Sequence, residues 1–556
     1  MKDTPLTVQS DRTLLLDVHH PDAEACRSDL VRFASLVKSP EHVHTYLVDE
    51  IALWNAVSLG CTVSWILSRL DFWSRFPLPE TVTFFIEEMA GRFGKITLRT
   101  MEEDNRYYLL SVTTERIAKE IGASASLSKL LARKDDRNFV VNKYDRGQVK
   151  LLLIKLGYPV DDRIALAQGE PVAMSLRANC ASTSRPFIVR DYQLEATSAL
   201  LGDGQGGSGF GVIVLPCGSG KTIVGMSIMS KLATRTLILT TNVAAVHQWI
   251  DEIKDKMEID PSLIGEYTGE KKETKPITVC TYQVLTYRPD KEGPYPHMEL
   301  LTTGHWGLVI YDEVHMLPAP VFKVTAELQA VHRVGLTATL VREDGREDEV
   351  FCLVGPKRYD RPWGELEAKG YIAQAYCHEI RIDLPEELEV PYAIAEKRQK
   401  YRIASENPRK NDVVKQLVAQ HPDDFILIIG QYLDQLEGIR KELGVPMITG
   451  STPTKERETL YKAFKEGRNH ILIVSKVANF AIDLPDASVA IQVSGTFGSR
   501  SEEAQRLGRI LRPKDRSSHF YTLVTRFSCE EEFSANRQKF LAEQGYRYDI
   551  AVWGKS

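Results

Sequence analysis

The sequence predicts an α/β fold with two parallel-sheet domains in tandem, preceded by a mixed α+β region. Short apolar runs alternate with longer helical patterns from residue 211 onward, and a second series of such runs begins at residue 425. Strands of parallel sheets are buried on both faces and therefore read as continuous apolar runs. The first ~180 residues instead mix helical and strand patterns without this alternation.

The strands of the two sheets are predicted from runs rich in Val, Ile and Leu. In the first domain the runs are GVIVL, LILTT, ITVC, LVI and VGLT, at residues 211–215, 237–241, 277–280, 308–310 and 334–337. In the second domain they are FILIIG, PMIT, ILIV, VAIQV and FYTLV, at residues 425–430, 446–449, 471–474, 489–493 and 520–524. We place the two domains at residues 186–360 and 361–556.

The N-terminal region is predicted to hold two further parts. Helical periodicity covers residues 21–37 and 48–70, within an N-terminal strand and helical segment placed at residues 1–70. An accessory domain at residues 71–185 is predicted to contain a helix, the strands ITLRTM and YYLLSV, a helix at TTERIAKEIG, the strand FVVN and a helix at DRGQVKLLLIKLG. This mixture fits a winged-helix-like DNA reader and equally a packing domain.

Composition excludes several classes of protein. The chain is 43% hydrophobic and 26% charged, which is ordinary for a globular protein, and its opening residues do not resemble a signal peptide. No apolar stretch approaches the ~20 residues that span a bilayer, so we expect a cytoplasmic protein without a membrane partner. Its eight cysteines are scattered, which argues against a metal cluster and a disulfide framework. The net charge of −5 means that any nucleic-acid surface has to be local.

A phosphate-binding loop is predicted where the first strand runs into PCGSGKT at residues 216–222. The first position of the usual G-x-x-x-x-G-K-[ST] pattern is Leu215 instead of Gly. The residues that the chemistry uses are present: open backbone, an ammonium group for the phosphates and a hydroxyl group for Mg²⁺. The predicted ATP-binding residues of this loop are Gly218, Ser219, Gly220, Lys221 and Thr222.

A carboxylate pair follows the apolar run LVI, in the string DEVH at residues 312–315. Asp312 is predicted to hold Mg²⁺ together with Thr222, and Glu313 to orient and deprotonate the attacking water. The ordered pair of a phosphate loop and a carboxylate string predicts ATP hydrolysis, with ATP and Mg²⁺ as cofactors. His315 has no ligand set around it and is interpreted as a coupling residue.

An Arg-rich helix, EAQRLGRILR, lies near the end of the second domain. Gln505, Arg509 and Arg512 recur at helical spacing, so one helix face can direct all three toward the γ-phosphate. Arginines supplied in this way stabilise charge that develops in the transition state. The two α/β domains are therefore predicted to form a motor in which hydrolysis changes their relative position.

Two weaker motifs lie upstream of the phosphate loop. Gln193 in the string RDYQ can recognise adenine through its side-chain amide. The string GDGQGGSG matches a dinucleotide fingerprint at Gly202, Gly204 and Gly207, but it follows a helix and precedes a strand. That order is the reverse of the one the fingerprint needs, so we interpret the string as a loop.

The strings RDYQ, LPCGSGKT, YDEVH, GLTATLVRED, VSKVANFAIDLP and GSRSEEAQRLGRILR occur in this order between Arg190 and Pro513. This series resembles the motifs of superfamily 2 helicases, which implies that the two α/β domains are RecA-like motor domains. The element GLTATLVREDGR at residues 335–346 narrows the resemblance to XPB-type DNA helicases, and the opening residues PLTVQSDRTLLLDV are similar to the bacterial branch.

The resemblance implies an ATP-dependent DNA helicase or translocase that moves 3′ to 5′ and acts in nucleotide excision repair or transcription-linked DNA opening. It implies a damage-recognition-like domain, DNA as partner in single-stranded, forked or damaged form, and a nuclease partner in some relatives. A strand-separating role is implied for Arg342, Glu343 and Asp344. Coupling roles are assigned to His315, Thr337, Thr339 and Asp483.

DNA contacts are expected from polar and backbone donors at strand ends, because motors of this kind track the phosphate backbone. The candidates are Thr241, Asn242, Thr281, Tyr282, Gln283, Thr452, Ser475 and Lys476. A candidate thumb near residues 390–410 contains the basic string EKRQKYRIASENPRK, in which Tyr401 could stack a base. A solvated helix face explains the same string.

Three other functions remain open at this point. A duplex translocase that remodels protein–DNA complexes would use ATP on duplex DNA without releasing a strand. An RNA helicase is disfavoured because TAT and VRED at residues 337–344 differ from the SAT pattern of DEAD-box proteins. A scaffold with ATP as a mere switch would not need the water-activating Glu313.

Overall fold

The structure is a computed structural model that describes the chain from residue 2 to residue 554 apart from some segments. These segments are residues 39–41, 59, 102, 105, 165–168, 203–208, 217, 291–295, 298–303, 317–329, 339–349, 351–353, 356, 362, 373–374, 476–486, 496–516 and 536–547. The chain forms two compact units. The first comprises residues 1–214, 221–340 and 346–360, and the second comprises residues 215–220, 341–345 and 361–556.

An antiparallel sheet with four helices begins the first unit. Its strands are β1 (Leu6–Val8), β2 (Thr13–Asp17), β3 (Ser35–Lys38) and β4 (Val43–Leu47), in the order β1-β2-β4-β3. Its helices are α1 (Ala23–Leu30), α2 (Glu50–Ser58), α3 (Val63–Trp73) and α4 (Glu80–Ala90). Alternate residues of β2 are buried, and one hydrophobic core extends from Leu6 to Met89. The predicted boundary at residue 70 therefore falls inside α3.

The helix predicted over residues 21–37 is wrong in its second half. Helix α1 ends at Leu30, and residues 35–38 form β3, which pairs with β4 at Ser35 and Leu47. In this segment Leu36 is buried and Val37 is exposed, as expected for a strand with one buried face, and such a short apolar segment fits a helical period as well. The helical stretch over residues 48–70 is divided into α2 and α3, and Thr62 caps the latter by accepting from the Trp65 backbone N–H.

The second N-terminal part is a five-stranded sheet of order β7-β8-β6-β5-β9. Its strands are β5 (Ile96–Thr100), β6 (Tyr107–Val112), β7 (Leu131–Arg133), β8 (Asn138–Asn142) and β9 (Val160–Asp162), and its helices are α5 (Glu115–Ala123) and α6 (Arg146–Lys155). The structure has the strands and helices expected here from the sequence. A separate pairing joins the short strands β10 (Ser175–Leu176) and β13 (Met257–Glu258).

A seven-stranded parallel sheet forms the rest of the first unit, in the order β14-β15-β12-β16-β17-β11-β18. Its strands are β11 (Phe210–Val214), β12 (Thr236–Thr240), β14 (Ile264–Tyr267), β15 (Ile277–Thr281), β16 (Leu308–Asp312), β17 (His332–Thr337) and β18 (Lys357–Asp360). The accompanying helices are α7 (Asp191–Leu201), α8 (Lys221–Leu232), α9 (Val243–Lys256) and α10 (Tyr282–Thr286). Buried strands explain the uninterrupted apolar runs of the sequence.

A second seven-stranded parallel sheet belongs to the second unit, in the order β21-β22-β20-β23-β24-β19-β25. Its strands are β19 (Ala375–Ile382), β20 (Ile426–Gly430), β21 (Met447–Ile448), β22 (Ile471–Ser475), β23 (Val489–Gln492), β24 (Ser518–Thr525) and β25 (Tyr548–Val552). The described helices are α11 (Trp363–Ala368), α12 (Glu386–Ile394), α13 (Lys397–Ser405), α14 (Arg409–Gln420), α15 (Leu433–Leu443) and α16 (Thr454–Lys465). The predicted fold class, an α/β chain with two tandem RecA-like domains after a mixed α+β region, is confirmed.

Within the described residues, no single helix is both long and apolar enough to cross a membrane. The bent pair of α2 and α3 passes that test of length and composition when the two are taken together. Both helices contribute to the N-terminal hydrophobic core, through residues such as Leu53 and Ile66.

Candidate active site

The phosphate loop connects β11 to α8. Gly218 and Gly220 have φ of 78° and 79°, a region that residues with a Cβ seldom adopt. The buried Ser219 hydroxyl donates to the Pro216 carbonyl oxygen at 2.6 Å, which fixes the turn. Lys221 and Thr222 are the first residues of α8, where backbone N–H groups have no partner within the helix. This geometry suits an anion such as a phosphate group.

Parallel pairing brings the other predicted site residues to the same sheet edge as this loop. Val214 at the end of β11 pairs with Thr337 at the end of β17, and Leu336 of β17 pairs with Asp312 at the end of β16. The carboxyl ends of parallel strands form the crevice in which α/β proteins bind ligands. The phosphate loop, the carboxylate string and Thr337 therefore share one edge.

The side chain of Asp312 is held by two donors. Its Oδ2 accepts from the Trp249 indole Nε1 at 2.9 Å, and its Oδ1 accepts from the Glu313 backbone N at 3.1 Å. Burial and the negative charge of Glu313 raise the pKa of Asp312 to about 6, although the hydrogen bond from Trp249 acts in the opposite direction. A nearby cation would favour the charged form of this carboxylate.

The backbone of Glu313 is strained. Its φ of 49° lies in the left-handed region, which costs a residue with a Cβ about 1–3 kcal/mol. Beyond this turn, Oε1 lies 3.7 Å from the Lys221 Nζ and Oε2 lies 3.4 Å from the His315 Nδ1. Among the described residues no donor makes a hydrogen bond to the buried Oε2. Strain and an unsatisfied acceptor are typical of a functional carboxylate.

His315 connects the carboxylate string to the neighbouring strand. Its side chain is buried, and its Nδ1 lies 2.7 Å from the Thr337 Oγ1. The structure therefore brings together two of the predicted coupling residues. Gly335 of β17 makes room for the turn, because a Cβ there would lie 3.0 Å from the Val314 Cγ1.

The donor set fits Mg²⁺. Oxygen ligands are what this ion prefers, and it is usually held by one or two carboxylates together with phosphate groups and water. Asp312 and the Thr222 hydroxyl are oxygen donors, and the raised pKa of Asp312 indicates that its charge lacks full compensation. Within the described residues no group of three or more His, Cys, Asp and Glu side chains could hold a metal alone. A site completed by nucleotide phosphates agrees with that finding.

Gln193 is buried at the start of α7. Its Oε1 accepts from the Arg190 backbone N at 2.9 Å, and its Nε2 lies 3.4 Å from the Tyr192 hydroxyl. These contacts cap the helix. Because the Gln193 side-chain amide caps the helix on which it lies, adenine recognition by this residue stays a prediction.

The predicted DNA contacts of the first RecA-like domain fall into two groups. Asn242 caps α9 by accepting from the Ala245 backbone N at 2.9 Å, and Gln283, which is exposed, donates to the Thr241 carbonyl oxygen at 2.7 Å. The side chains of Thr281 and Tyr282 are buried instead. Tyr282 donates its hydroxyl to the Asp312 carbonyl oxygen at 2.8 Å. Their burial argues against side-chain contacts with DNA, whereas contacts through their backbone groups stay a prediction.

Candidates in the second RecA-like domain are also unequal. Thr452 is half-buried and accepts from the Thr449 backbone N at 2.9 Å, whereas the Ser475 side chain is buried, which argues against a side-chain contact from it. The basic string at residues 396–410 loses its predicted stacking residue, since Tyr401 is 1% exposed and donates to the Gly495 carbonyl oxygen at 2.6 Å. Lys410 is 0% exposed. Lys397 and Arg398 remain exposed on α13.

Several predicted site residues lie outside the described residues. These are Thr339, Arg342, Glu343, Asp344, Lys476, Asp483, Gln505, Arg509 and Arg512. The six cysteines that the structure describes, Cys26, Cys61, Cys180, Cys280, Cys377 and Cys529, are free thiols.

Sequence reasoning missed Trp249 at this site. Helical periodicity marks it as a core residue of α9, and it is 2% exposed. Nothing in the periodicity indicates that its indole N–H reaches a carboxylate on another strand. The position of Trp249, seven residues after the helix cap, would indicate its contact with Asp312 only if the order of the strands were already known.

Two parallel seven-stranded sheets, with a phosphate loop after β11 and a carboxylate string after β16, define a helicase-type ATPase with two RecA-like domains. Three families match the sequence: "ERCC3/RAD25/XPB C-terminal helicase" at residues 366–553, "Type III restriction enzyme, res subunit" at 187–342 and "Helicase conserved C-terminal domain" at 6–136. Together with the relatives described next, they show that the chain belongs to the XPB family of DNA helicases.

Similar proteins span almost the whole chain. The sequence is 47% identical to "DNA 3'-5' helicase XPB" of Kineococcus radiotolerans over 99% of this chain and 97% of that protein. It is also 47% identical to the protein of the same name from Mycobacterium tuberculosis, over 99% and 98% of the two chains. The Encephalitozoon cuniculi "General transcription and DNA repair factor IIH helicase/translocase subunit XPB" is 33% identical, over 98% and 82%.

A solved structure is similar in fold alone. The "ATP-dependent Type ISP restriction-modification enzyme LlaBIII bound to DNA" aligns with a TM-score of 0.50 and 12% identity, over 67% of this chain and 32% of that one.

Proposed function

We infer that this chain is an ATP-dependent 3′–5′ DNA helicase or translocase that acts in DNA repair and transcription-linked opening of DNA. Its relatives over 99% of the chain carry the name "DNA 3'-5' helicase XPB". The observation that carries the proposal is the contact of 3.7 Å between the Lys221 Nζ and the Glu313 Oε1. It supports the proposal because the ammonium group proposed to bind phosphate lies beside the carboxylate proposed as the base.

The phosphate loop and the carboxylate string divide the chemistry between them. Backbone N–H groups at Gly218 and Gly220, with the start of α8, bind the phosphates, and Lys221 neutralises charge on the outer ones. Bound Mg²⁺ would supply Lewis-acid polarisation of the phosphoryl oxygens. Asp312 and the Thr222 hydroxyl would hold it, and Ser219 would support the loop.

Glu313 is proposed as the general base. Its buried Oε2 lacks a hydrogen-bond donor among the described residues and is therefore ready to accept one from water. His315, 3.4 Å from that oxygen, is held by Thr337, so a shift of β17 changes what the base can reach. We propose that these two residues couple hydrolysis to movement of the motor.

Other assignments rest on the motif series. DNA contacts are proposed at Thr241, Asn242, Gln283 and Thr452, whose side chains are not fully buried. At Thr281, Tyr282 and Ser475, whose side chains are buried, they are proposed through backbone groups. Adenine recognition is proposed for Gln193. Four further roles are proposed from the motif series. They are coupling by Thr339 and Asp483, strand separation by Arg342, Glu343 and Asp344, a DNA contact at Lys476, and transition-state stabilisation by Gln505, Arg509 and Arg512.

The wider setting is proposed from the same family membership. We propose Mg²⁺ as the metal, cytoplasmic action on single-stranded, forked or damaged DNA, and a nuclease partner. The division into residues 1–70, 71–185, 186–360 and 361–556 stays a proposal, with a thumb near residues 390–410. The exposed Lys397 and Arg398 support that thumb, whereas the buried Tyr401 removes its stacking residue.

Turnover of ATP with and without DNA tests the proposed function. We expect DNA to stimulate turnover of the wild-type chain and Lys221→Ala to abolish it. Lys231→Ala is the matched control, because Lys231 is an exposed lysine in the last turn of the same helix. Turnover that DNA leaves unchanged in the wild type, or that survives Lys221→Ala, would overturn the proposal.

A further inference from the structure

Trp249 joins three elements of the first RecA-like domain. It lies on α9, its ring is buried against α8, and its indole N–H donates to Asp312 at the end of β16. Gly225 of α8 allows this approach, because a Cβ there would lie 2.6 Å from the Trp249 Cη2. The helix that begins with Lys221 and Thr222 is therefore packed directly on the ring that holds the carboxylate.

Helix α9 also begins beside a proposed DNA contact. It begins after Asn242, and Trp249 follows that cap by seven residues, or about 10 Å of helix. A second connection runs through α10, where Gln283 donates to the Thr241 carbonyl oxygen and Tyr282 donates to the Asp312 carbonyl oxygen. Asp312 is thus held, at side chain and backbone, by two helices that begin beside the proposed DNA contacts.

Packing alone does not explain an indole at this position. A phenyl ring fills a buried apolar site without adding a donor, whereas buried Trp N–H groups need a partner. Here the partner is an anionic oxygen, and such hydrogen bonds are stronger than those between neutral groups. The indole can donate but cannot accept, so it selects one orientation of the carboxylate.

We propose that Trp249 is a positioning residue for Asp312, and that through it α9 couples DNA contact at Asn242 to the binding of the metal–nucleotide complex. The proposal rests on the proposed function and extends it. In this proposal Trp249 acts on nucleotide and metal only through its hydrogen bond to Asp312. Its effect is confined to the orientation of the carboxylate, so binding of nucleotide without metal does not depend on it.

The test is equilibrium binding of a fluorescent ATP analogue to the full chain, with Mg²⁺ and with EDTA. Trp249→Phe keeps the ring and removes the donor. Loss of one hydrogen bond to a charged group is expected to weaken binding about tenfold with Mg²⁺ and to leave binding in EDTA unchanged. We also expect a lower ratio of DNA-stimulated to basal turnover.

Trp54→Phe is the matched control. That indole is buried too, and it donates to the Met89 carbonyl oxygen at 2.9 Å in the N-terminal core. The control makes the same chemical change away from the site and should bind the analogue as the wild type does. If the effect of Trp249→Phe were purely structural, it would weaken binding of the analogue equally with Mg²⁺ and with EDTA.

Gly225→Ala provides a second variant that leaves Trp249 in the sequence and displaces its ring. It should reproduce the defect that is selective for Mg²⁺. Three results would overturn the proposal: Trp249→Phe binds the analogue with Mg²⁺ as tightly as the wild type, its affinity falls equally with Mg²⁺ and with EDTA, or neither Trp249→Phe nor Gly225→Ala folds. Failure of the wild type itself to bind the analogue would instead overturn the proposed function.

Discussion

The two RecA-like domains each contain a buried or partly buried cluster of charged side chains. The two clusters differ in how completely their charges are paired and hydrogen-bonded. In the second domain, Lys410 donates to both oxygens of Glu530, at 3.0 and 2.8 Å, and to the Val493 carbonyl oxygen at 3.0 Å. Glu530 also accepts from the Thr525 backbone N and the Ser405 hydroxyl. Its charges are paired and hydrogen-bonded.

The first domain leaves its charges incompletely satisfied. Asp312 and Glu313 are adjacent carboxylates, the pKa of the former is raised, and the latter combines a strained backbone with a buried oxygen that has no hydrogen-bond donor among the described residues. Groups left in this state lower stability and are tolerated where ligand or chemistry uses them. The contrast distinguishes an active site from a structural ion pair.

Removing the base should have the largest effect. Glu313→Gln keeps the size of the side chain but cannot accept a proton, so ATP turnover should fall by about 10²–10⁴-fold. Binding of the nucleotide should persist, which the fluorescent analogue measures. If turnover fell less than tenfold, Glu313 would not be the base.

Breaking the structural pair should cost stability. Lys410→Met leaves the Glu530 carboxylate buried without its cation, which typically costs about 3–5 kcal/mol. Thermal unfolding of the full chain measures the loss. The double variant Lys410→Met with Glu530→Gln removes both charges and should recover most of it. If Lys410→Met were as stable as the wild type, the Lys410–Glu530 pair would not be a structural ion pair.

Neutralising the Asp312 carboxylate should increase the stability of the chain. The pKa of Asp312 is raised from its ordinary 3.8 to about 6, so folding favours the protonated acid. Its ionisation therefore lowers stability progressively as the pH rises from about 4 through about 6. In EDTA, Asp312→Asn should stabilise the chain by about 1–3 kcal/mol at pH 8 and less at pH 5.

Thermal unfolding at the two pH values checks this, and Asp434→Asn, at an exposed carboxylate, is the control. A gain that is the same at both pH values would show that charge is not its cause.

The coupling contact should have the smallest effect. Thr337→Val preserves shape and removes the hydroxyl that lies 2.7 Å from the His315 Nδ1. Loss of one hydrogen bond of about 1 kcal/mol should lower the ratio of DNA-stimulated to basal turnover about fivefold. Equal ratios in variant and wild type would remove Thr337 from the coupling route.

Much of the fold could be predicted because both sheets are parallel and buried. Runs such as FILIIG and ILIV coincide with β20 and β22 within a residue or two. Strands with mixed polar and apolar residues, such as β18 and β19, gave no such signal. The strand β3 was mistaken for helix, since a short apolar segment fits both periods.

The site was predictable where motif and chemistry agree. Lys221 and Glu313 were found from their strings, and the structure places them 3.7 Å apart. The burial of Tyr282 could not be predicted, because a tyrosine at a strand end looks the same in the sequence whether its hydroxyl faces solvent or the Asp312 carbonyl oxygen. Trp249 was missed because the contact depends on which strands are neighbours, which local sequence does not encode.

Directional unwinding tests the central claim most directly. Duplexes with a 3′ tail, a 5′ tail or blunt ends are compared in the presence of ATP and Mg²⁺, with Lys221→Ala as the inactive reference. We expect strand release from the 3′-tailed duplex by the wild type and none by the variant. ATP use stimulated by duplex DNA without release of any strand, or release from the 5′-tailed duplex alone, would contradict this expectation.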